Sequence, residues 1–118
     1  MLIVDDEASI RALIKEVLEM DGHSCAEAED GTQALEMIRS GSYKLVIMDR
    51  HMPKMTGLQA VELLRANPKF CDLKLLMCTS ASIVKEVEEA FTAGANDYVL
   101  KPLNLKQLTG KVRQLVAS

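Results

Sequence analysis

The sequence predicts a doubly wound α/β fold in which five parallel strands alternate with five helices. Short, almost wholly apolar runs alternate five times with segments whose apolar residues recur at helical spacing. The runs are too uniformly apolar for a sheet that faces water on one side, which favours a parallel sheet covered by helices on both faces. The 118 residues fit one domain, which is expected to span residues 1–118.

The first half of the chain supplies three predicted strands and two predicted helices. The first apolar run, residues 2–4, leads into a segment of helical spacing that ends near Gly22, a residue type common just after helices. A short strand is predicted at residues 24–27, and a helix at 31–39 ends before Gly41. The next apolar run, ending at Met48, predicts the third strand.

The third helix and the fourth strand follow from two local signals. Thr56 and Gln59 have the spacing of a capping box, which predicts that a helix begins after Thr56. Asn67-Pro68 breaks that helix near residue 66. The apolar run at residues 73–78 then predicts the fourth strand.

The C-terminal third completes the alternation. The fourth helix has its predicted apolar face at Val84, Val87, Ala90 and Phe91. Gly94 ends that helix, and a strand is predicted at residues 98–100.

The last predicted helix begins after Asn104, whose side chain can cap it. Gly110 lies inside this helix and is expected to cost about 1 kcal/mol relative to alanine, so the middle of the helix should be soft.

Carboxylates follow two of the apolar runs: Asp5-Asp6 after the first and Asp49 after the third. In the flavodoxin-like strand order 2-1-3-4-5, strands 1 and 3 are neighbours, so these carboxylates would meet at the carboxyl edge of the sheet. Two like charges about 4 Å apart repel by roughly 4 kcal/mol at an effective dielectric constant near 20. Because carboxylate oxygens are hard ligands, the implied counter-charge is Mg²⁺.

Two further groups fall at the same edge. Thr79 ends the fourth predicted strand, and Lys101 ends the fifth, before Pro102. A hydroxyl, an ammonium and a metal ion around one aspartate can bind the three equatorial oxygens of a phosphoryl group. The sequence therefore predicts a phosphoryl-transfer site.

The joint pattern resembles the receiver domain of two-component response regulators, of the chemotaxis-regulator type. The residues that carry this resemblance are Asp5-Asp6, Met48-Asp49-Arg50-His51-Met52-Pro53, Gly57, Thr79, Tyr98 and Lys101-Pro102. The resemblance covers nearly the whole chain and implies a Mg²⁺-dependent phosphorelay. A phosphohistidine of a sensor histidine kinase or a histidine phosphotransfer protein would be the donor. Such a domain is not an enzyme acting on other molecules, since it catalyses only its own phosphorylation and dephosphorylation.

The resemblance also implies catalytic and metal-binding roles. Asp49 would be the phosphoacceptor. Lys101 would pair with Asp49 and then with a phosphoryl oxygen, while Thr79 would turn its hydroxyl to the phosphoryl group. Mg²⁺ would be bound by Asp5, Asp6, Asp49 and the backbone carbonyl of His51.

The remaining implied roles concern signalling and signal lifetime. Thr79 and Tyr98 would form a switch, although Tyr98 can also be explained as a half-buried strand aromatic. The Lys101-Pro102 peptide bond would be cis, and His51 and Ala81 would flank the approach of water and tune hydrolysis of the aspartyl phosphate. The output surface would comprise helix 4, strand 5 and helix 5.

Composition excludes several other classes. A net charge of −3, with two Phe, two Tyr and no Trp, argues against direct nucleic-acid binding. Three cysteines without a CxxC pair favour reduced core thiols in a cytoplasmic protein. The apolar runs are too short to span a membrane. The chain begins one residue before its first strand, which suggests a trimmed start.

Two alternatives remain open at this stage. A phosphatase of the haloacid dehalogenase type also uses Mg²⁺ and an aspartate, but its nucleophile follows the first strand in a DxDx[TV] pattern, whereas this strand ends in Asp5-Asp6-Glu7-Ala8. A receiver-like module that works by protein contact without phosphorylation is the second alternative. Turnover of a free phosphate ester would favour the first, and the absence of a mass shift with acetyl phosphate would favour the second.

Overall fold

A computed structural model of the protein describes residues 1–79 and 84–117. Within these residues the strands are Leu2–Val4 (β1), Ala26–Ala28 (β2), Leu45–Asp49 (β3), Lys74–Thr79 (β4) and Asp97–Leu100 (β5). The helices are Ala8–Met20 (α1), Gly31–Ser40 (α2), Gly57–Arg65 (α3), Val84–Ala93 (α4) and Leu105–Ala117 (α5), with a short 3₁₀ helix at Pro68–Phe70. The strands pair in parallel in the order β2-β1-β3-β4-β5, which confirms the predicted flavodoxin-like, doubly wound fold.

Apolar clusters cover both faces of the sheet because alternate strand residues point to opposite sides. On one face, Leu2 and Val4 of β1 lie in the same cluster as residues of α2, α3 and α4. On the other face, Ile3 lies with residues of α1 and α5. The three apolar residues of β1 are 0–1% exposed, which explains why this short strand reads as a continuous apolar run.

The structure contains the predicted start signals of α3 and α5 and the predicted stop signal of α4. Thr56 and Gln59 form the reciprocal capping box at the start of α3. Asn104 Oδ1 accepts a hydrogen bond of 3.0 Å from the backbone N–H of Gln107 at the start of α5. Gly94, which follows α4, has a φ of +120°, a conformation that side-chain-bearing residues rarely adopt.

Strand β2 begins later than the sequence predicts. It spans Ala26–Ala28 rather than residues 24–27, because its pairing with β1 begins with Leu2 opposite Ala26. Ser24, two residues before the strand, instead accepts a hydrogen bond at its carbonyl oxygen from the amino group of Met1.

Arg65, the last residue of α3, joins several segments at the amino end of the sheet. Its guanidinium donates to the carbonyl oxygen of Gly94 at 2.9 Å, to that of Phe70 at 2.8 Å and to Asn96 Oδ1 at 2.8 Å. The same Asn96 oxygen accepts from the backbone N–H of Leu75 in β4 at 2.8 Å. The C-terminal end of α4 is therefore tied to α3 and to the start of β4.

The core differs from the sequence prediction at Phe91 and Cys71. Phe91 was predicted on the core face of α4, but it is 45% exposed and packs edge-to-face on Tyr98 with ring centroids 5.7 Å apart. Of the three free cysteines, Cys78 is buried, Cys25 is partly buried and Cys71 is exposed, because Cys71 follows the 3₁₀ helix at the surface.

No helix in residues 1–79 or 84–117 is long and apolar enough to cross a membrane.

Candidate functional site

Three carboxylates meet where β1 and β3 end. Because Val4 pairs with Met48 across these strands, the next residues, Asp5 and Asp49, lie side by side. Each of Asp5, Asp6 and Asp49 offers an oxygen within 4.8 Å of the others. Asp5 and Asp49 are only 2% and 4% exposed, whereas Asp6 is exposed. This all-oxygen donor set can hold a hard metal ion.

The environment of Asp5 disfavours its negative charge. Burial raises the pKa of the Asp5 carboxyl, and the charges of Asp49 and Asp6 add to that increase. A hydrogen bond from the backbone N–H of Glu7 to Asp5 Oδ1 at 2.9 Å acts in the opposite direction, as does the positive charge of Lys101. The cluster therefore keeps an excess of negative charge that a cation would relieve.

Lys101 lies between the two buried carboxylates. Its Nζ is 3.0 Å from Asp49 Oδ1 and 3.6 Å from Asp5 Oδ2. Burial opposes the ammonium charge, but the hydrogen bond and charge of Asp49, together with Asp5, outweigh it and raise the pKa of Lys101. The Lys101 N–H donates to the carbonyl oxygen of Thr79 at 2.8 Å, and the peptide bond to Pro102 is cis.

The hydroxyl of Thr79 points to helix α4. Thr79 is fully buried at the end of β4, and its Oγ1 donates to Glu86 Oε2 at 2.9 Å. The carboxylate of Glu86 also lies 3.9 Å from Arg50 Nε and 3.5 Å from His51 Nε2. The sequence analysis gave no role to Glu86 or Arg50, and no local motif marks their contact.

Tyr98 is partly buried and packs against the apolar cluster on the α4 side of the sheet. The ring packs against Phe91, and Lys111 Nζ lies 4.4 Å from its centroid. Lys111 also donates to the Tyr98 carbonyl oxygen and pairs with Asp97 at 3.2 Å. Tyr98 is thus a partly exposed member of a small cluster between β5, α4 and α5.

Of the two residues expected to tune hydrolysis, His51 lies beside Asp49. The backbone N–H of His51 donates to Asp49 Oδ1 at 3.4 Å, and its side chain is 58% exposed. Ala81 lies outside the described residues.

Close backbone packing supports the end of β3, which carries Asp49. The Gly57 N–H donates to the Arg50 carbonyl oxygen at 2.8 Å, and a Cβ at Gly57 would overlap the carbonyl oxygen of Asp49. A side chain at this position would push the end of β3 out of place.

A buried arginine that the sequence analysis missed supports the end of β1. Arg11 Nη1 donates to the Asp5 carbonyl oxygen at 2.5 Å, and its Nε donates to Glu27 at 3.1 Å. Arg11 therefore ties α1 and β2 to the residue that begins the carboxylate cluster.

Comparisons of the sequence and of the fold with known proteins point to the same family. Residues 1–113 match the family described as the response regulator receiver domain. The chain is 38% identical to the chemotaxis protein CheY of Pseudomonas aeruginosa over 98% of this chain and 94% of that protein. Its fold matches the chemotaxis response regulator CheY4 of Vibrio cholerae, with a TM-score of 0.91 and 29% identity over 97% of this chain and 95% of that one. A Francisella response regulator receiver domain gives a TM-score of 0.92 at 26% identity, covering 98% and 94% of the two chains.

Proposed function

Because this chain belongs to the response regulator receiver domain family, we propose that Asp49 is its phosphoacceptor and that Lys101 and Thr79 assist the transfer. The observation that carries this proposal is the position of Lys101 Nζ, 3.0 Å from Asp49 Oδ1, beside a second buried carboxylate. An ammonium so placed can hold Asp49 and then bind a phosphoryl oxygen.

The proposed reaction is a single phosphoryl transfer. An Asp49 carboxylate oxygen forms a bond to phosphorus as the bond from phosphorus to a histidine nitrogen of the donor breaks. The electron pair of the broken bond stays on that nitrogen, which takes a proton from solvent. Lys101 and the Thr79 hydroxyl bind the oxygens on which negative charge develops. The chain thus modifies itself and turns over no separate substrate.

Mg²⁺ is the proposed cofactor. Asp5, Asp6 and Asp49 would hold it, with the His51 backbone carbonyl as a further ligand. The donor set fits, because the cluster is made of oxygens within 4.8 Å of one another and carries an excess of buried negative charge. When bound, the ion neutralises charge on the carboxylates and on the incoming phosphoryl group.

We further propose the partners and location typical of this family. The donor is a sensor histidine kinase or a histidine phosphotransfer protein, and the domain works in the cytoplasm. Output proteins would bind the surface of α4, β5 and α5, where Phe91 and Leu100 are 45% and 39% exposed. Phosphorylation adds about 1.5 to 2 negative charges near Thr79. A change in the position of Tyr98 would then alter this surface.

The decisive experiment measures the intact mass after incubation with Mg²⁺ and acetyl phosphate. We expect the wild type and Asp72→Asn, an exposed control, to gain one phosphoryl group, and Asp49→Asn to gain none. Equal labelling of Asp49→Asn would reject the acceptor assignment. No labelling of the wild type would favour a binding module, and repeated release of phosphate from a free ester would favour a phosphatase.

A further inference from the structure

Glu86 joins the phosphorylation site to helix α4 through three neighbouring side chains. Its carboxylate accepts the Thr79 hydroxyl at 2.9 Å and lies 3.9 Å from Arg50 Nε and 3.5 Å from His51 Nε2. The Glu86 side chain is only 19% exposed. The hydrogen bond to Thr79 is therefore largely shielded from water, and hydrogen bonds to a charged acceptor are stronger than neutral ones.

Arg50 fixes Glu86 from the other side. Its Nη1 donates to the Glu86 carbonyl oxygen at 2.9 Å, and its Nη2 pairs with Glu89 Oε2 at 3.1 Å. Because Arg50 directly follows the phosphoacceptor, the N-terminal turn of α4 is held beside Asp49. Glu86 is thus placed by the same short segment that carries the reacting carboxylate.

The Thr79 hydroxyl has a single proton to donate. Oxygens of a phosphoryl group on Asp49 are acceptors, as are the oxygens of Glu86. Thr79 can therefore satisfy one of these groups at a time, and binding the phosphoryl group requires it to leave Glu86. The added negative charge also repels the Glu86 carboxylate.

We propose that Glu86 is a positioning residue that holds Thr79 in the resting arrangement and thereby limits how readily the site accepts a phosphoryl group. This inference rests on the proposed role of Thr79 and goes beyond it by naming the competing acceptor. Glu86 acts through Thr79 and does not itself touch the phosphoryl group. Its removal leaves the Thr79 proton free for the phosphoryl oxygens.

The test compares two alanine variants on the same helix. Glu86→Ala removes the acceptor of Thr79, whereas Glu89→Ala removes an acidic partner of Arg50 without touching Thr79. We measure the beryllofluoride concentration that half-saturates each protein in the presence of Mg²⁺, using the backbone NMR signal of Asp49, and the initial rate of labelling by acetyl phosphate. Thermal unfolding shows whether each variant is folded.

We expect Glu86→Ala to lower the half-saturating concentration about tenfold, as loss of a charge-assisted hydrogen bond implies, and Glu89→Ala to change it less than twofold. In a Thr79→Ala background, Glu86→Ala should keep only the smaller effect of removing a negative charge and should lose the tenfold change. A general change in folding would not produce this dependence on Thr79. If Glu86→Ala does not fold, Glu86→Met, which keeps the chain length without an oxygen, replaces it.

Equal responses of the Glu86 and Glu89 variants would overturn the inference, as would a full Glu86→Ala effect in the absence of the Thr79 hydroxyl. Failure of the wild type to bind beryllofluoride at Asp49 would instead reject the proposed function.

Discussion

Replacing Asp5 by asparagine should stabilise the metal-free protein and weaken its response to Mg²⁺. The substitution keeps the size of the side chain and the oxygen that accepts the Glu7 N–H, but it removes one of the charges that repel Asp49. A residue that serves only the fold would show the opposite sign, because most substitutions of buried residues destabilise.

The expected gain follows from the distances at the site. The carboxylate oxygens lie within 4.8 Å of one another, so the repulsion between two of these charges is at least about 3.5 kcal/mol at an effective dielectric constant near 20. Attraction between Asp5 and Lys101 at 3.6 Å is about 4.6 kcal/mol on the same scale. These contributions nearly cancel, while Asp6 adds a second, partly screened repulsion and burial adds a desolvation cost. We therefore expect Asp5→Asn to raise the free energy of unfolding by about 1 to 2 kcal/mol in chelator.

The gain should depend on pH with a definite sign. The pKa of Asp5 is raised above its ordinary value of 3.8 in the folded protein. Between pH 3.8 and the folded pKa, the folded state therefore binds more protons than the unfolded state. The loss of stability caused by the charged Asp5 carboxylate is absent below pH 3.8 and develops as the pH rises through the folded pKa. The advantage of Asp5→Asn should therefore shrink as the pH is lowered.

Thermal and urea unfolding in chelator and in Mg²⁺ would test this reasoning, with Asp72→Asn as an exposed control. Mg²⁺ at a hundredfold excess over its Kd should stabilise the wild type by about 2.7 kcal/mol and Asp5→Asn by much less. If Asp5→Asn unfolds more readily than the wild type in chelator and keeps the full Mg²⁺ shift, the carboxylates do not form the strained cluster described above.

Three further predictions concern glycines and thiols. Gly110→Ala should raise the urea midpoint by an amount equivalent to about 1 kcal/mol, because a Cβ there meets open space; an unchanged midpoint would contradict this. Gly57→Ala should instead cost about 2 kcal/mol, since its Cβ overlaps the Asp49 carbonyl, and a neutral result would mean that the β3 end yields. In the native protein, iodoacetamide should modify the exposed Cys71 and spare the buried Cys78, because burial raises the pKa of Cys78 to about 12. Peptide mass measures the labelling, and rapid labelling of Cys78 would show that the core opens.

The five strands could be predicted from periodicity, whereas their order rested on the flavodoxin-like pattern. Residues that end neighbouring strands of a parallel sheet meet at one edge, so the order that puts β1 beside β3 implied the contact of Asp5 and Asp49. The capping signals at Thr56 and Asn104 are local and were equally visible.

Contacts that depend on side-chain direction could not be predicted. Glu86 reaches Thr79 only because α4 presents its first turn to the end of β4, and the orientation of a helix against a strand leaves no mark in the sequence. Phe91 has the spacing of a core residue, but it lies partly exposed and packs on the ring of Tyr98. Apolar spacing alone does not show which apolar residues of a helix reach the core.

Helix α4 is held at both ends, but by different groups. Its C-terminal end is held through the carbonyl of Gly94, whereas its N-terminal turn is held by the side chains of Arg50 and Thr79 on Glu86. A ten-residue helix is about 15 Å long, so a tilt of about 10° around the Arg65 end would move the first turn by roughly 2.5 Å and the last turn hardly at all. In such a tilt the Arg65 contact would be the pivot, at the opposite end of the sheet from Asp49, and a partner bound to the first turn of α4 would meet the largest displacement of the helix.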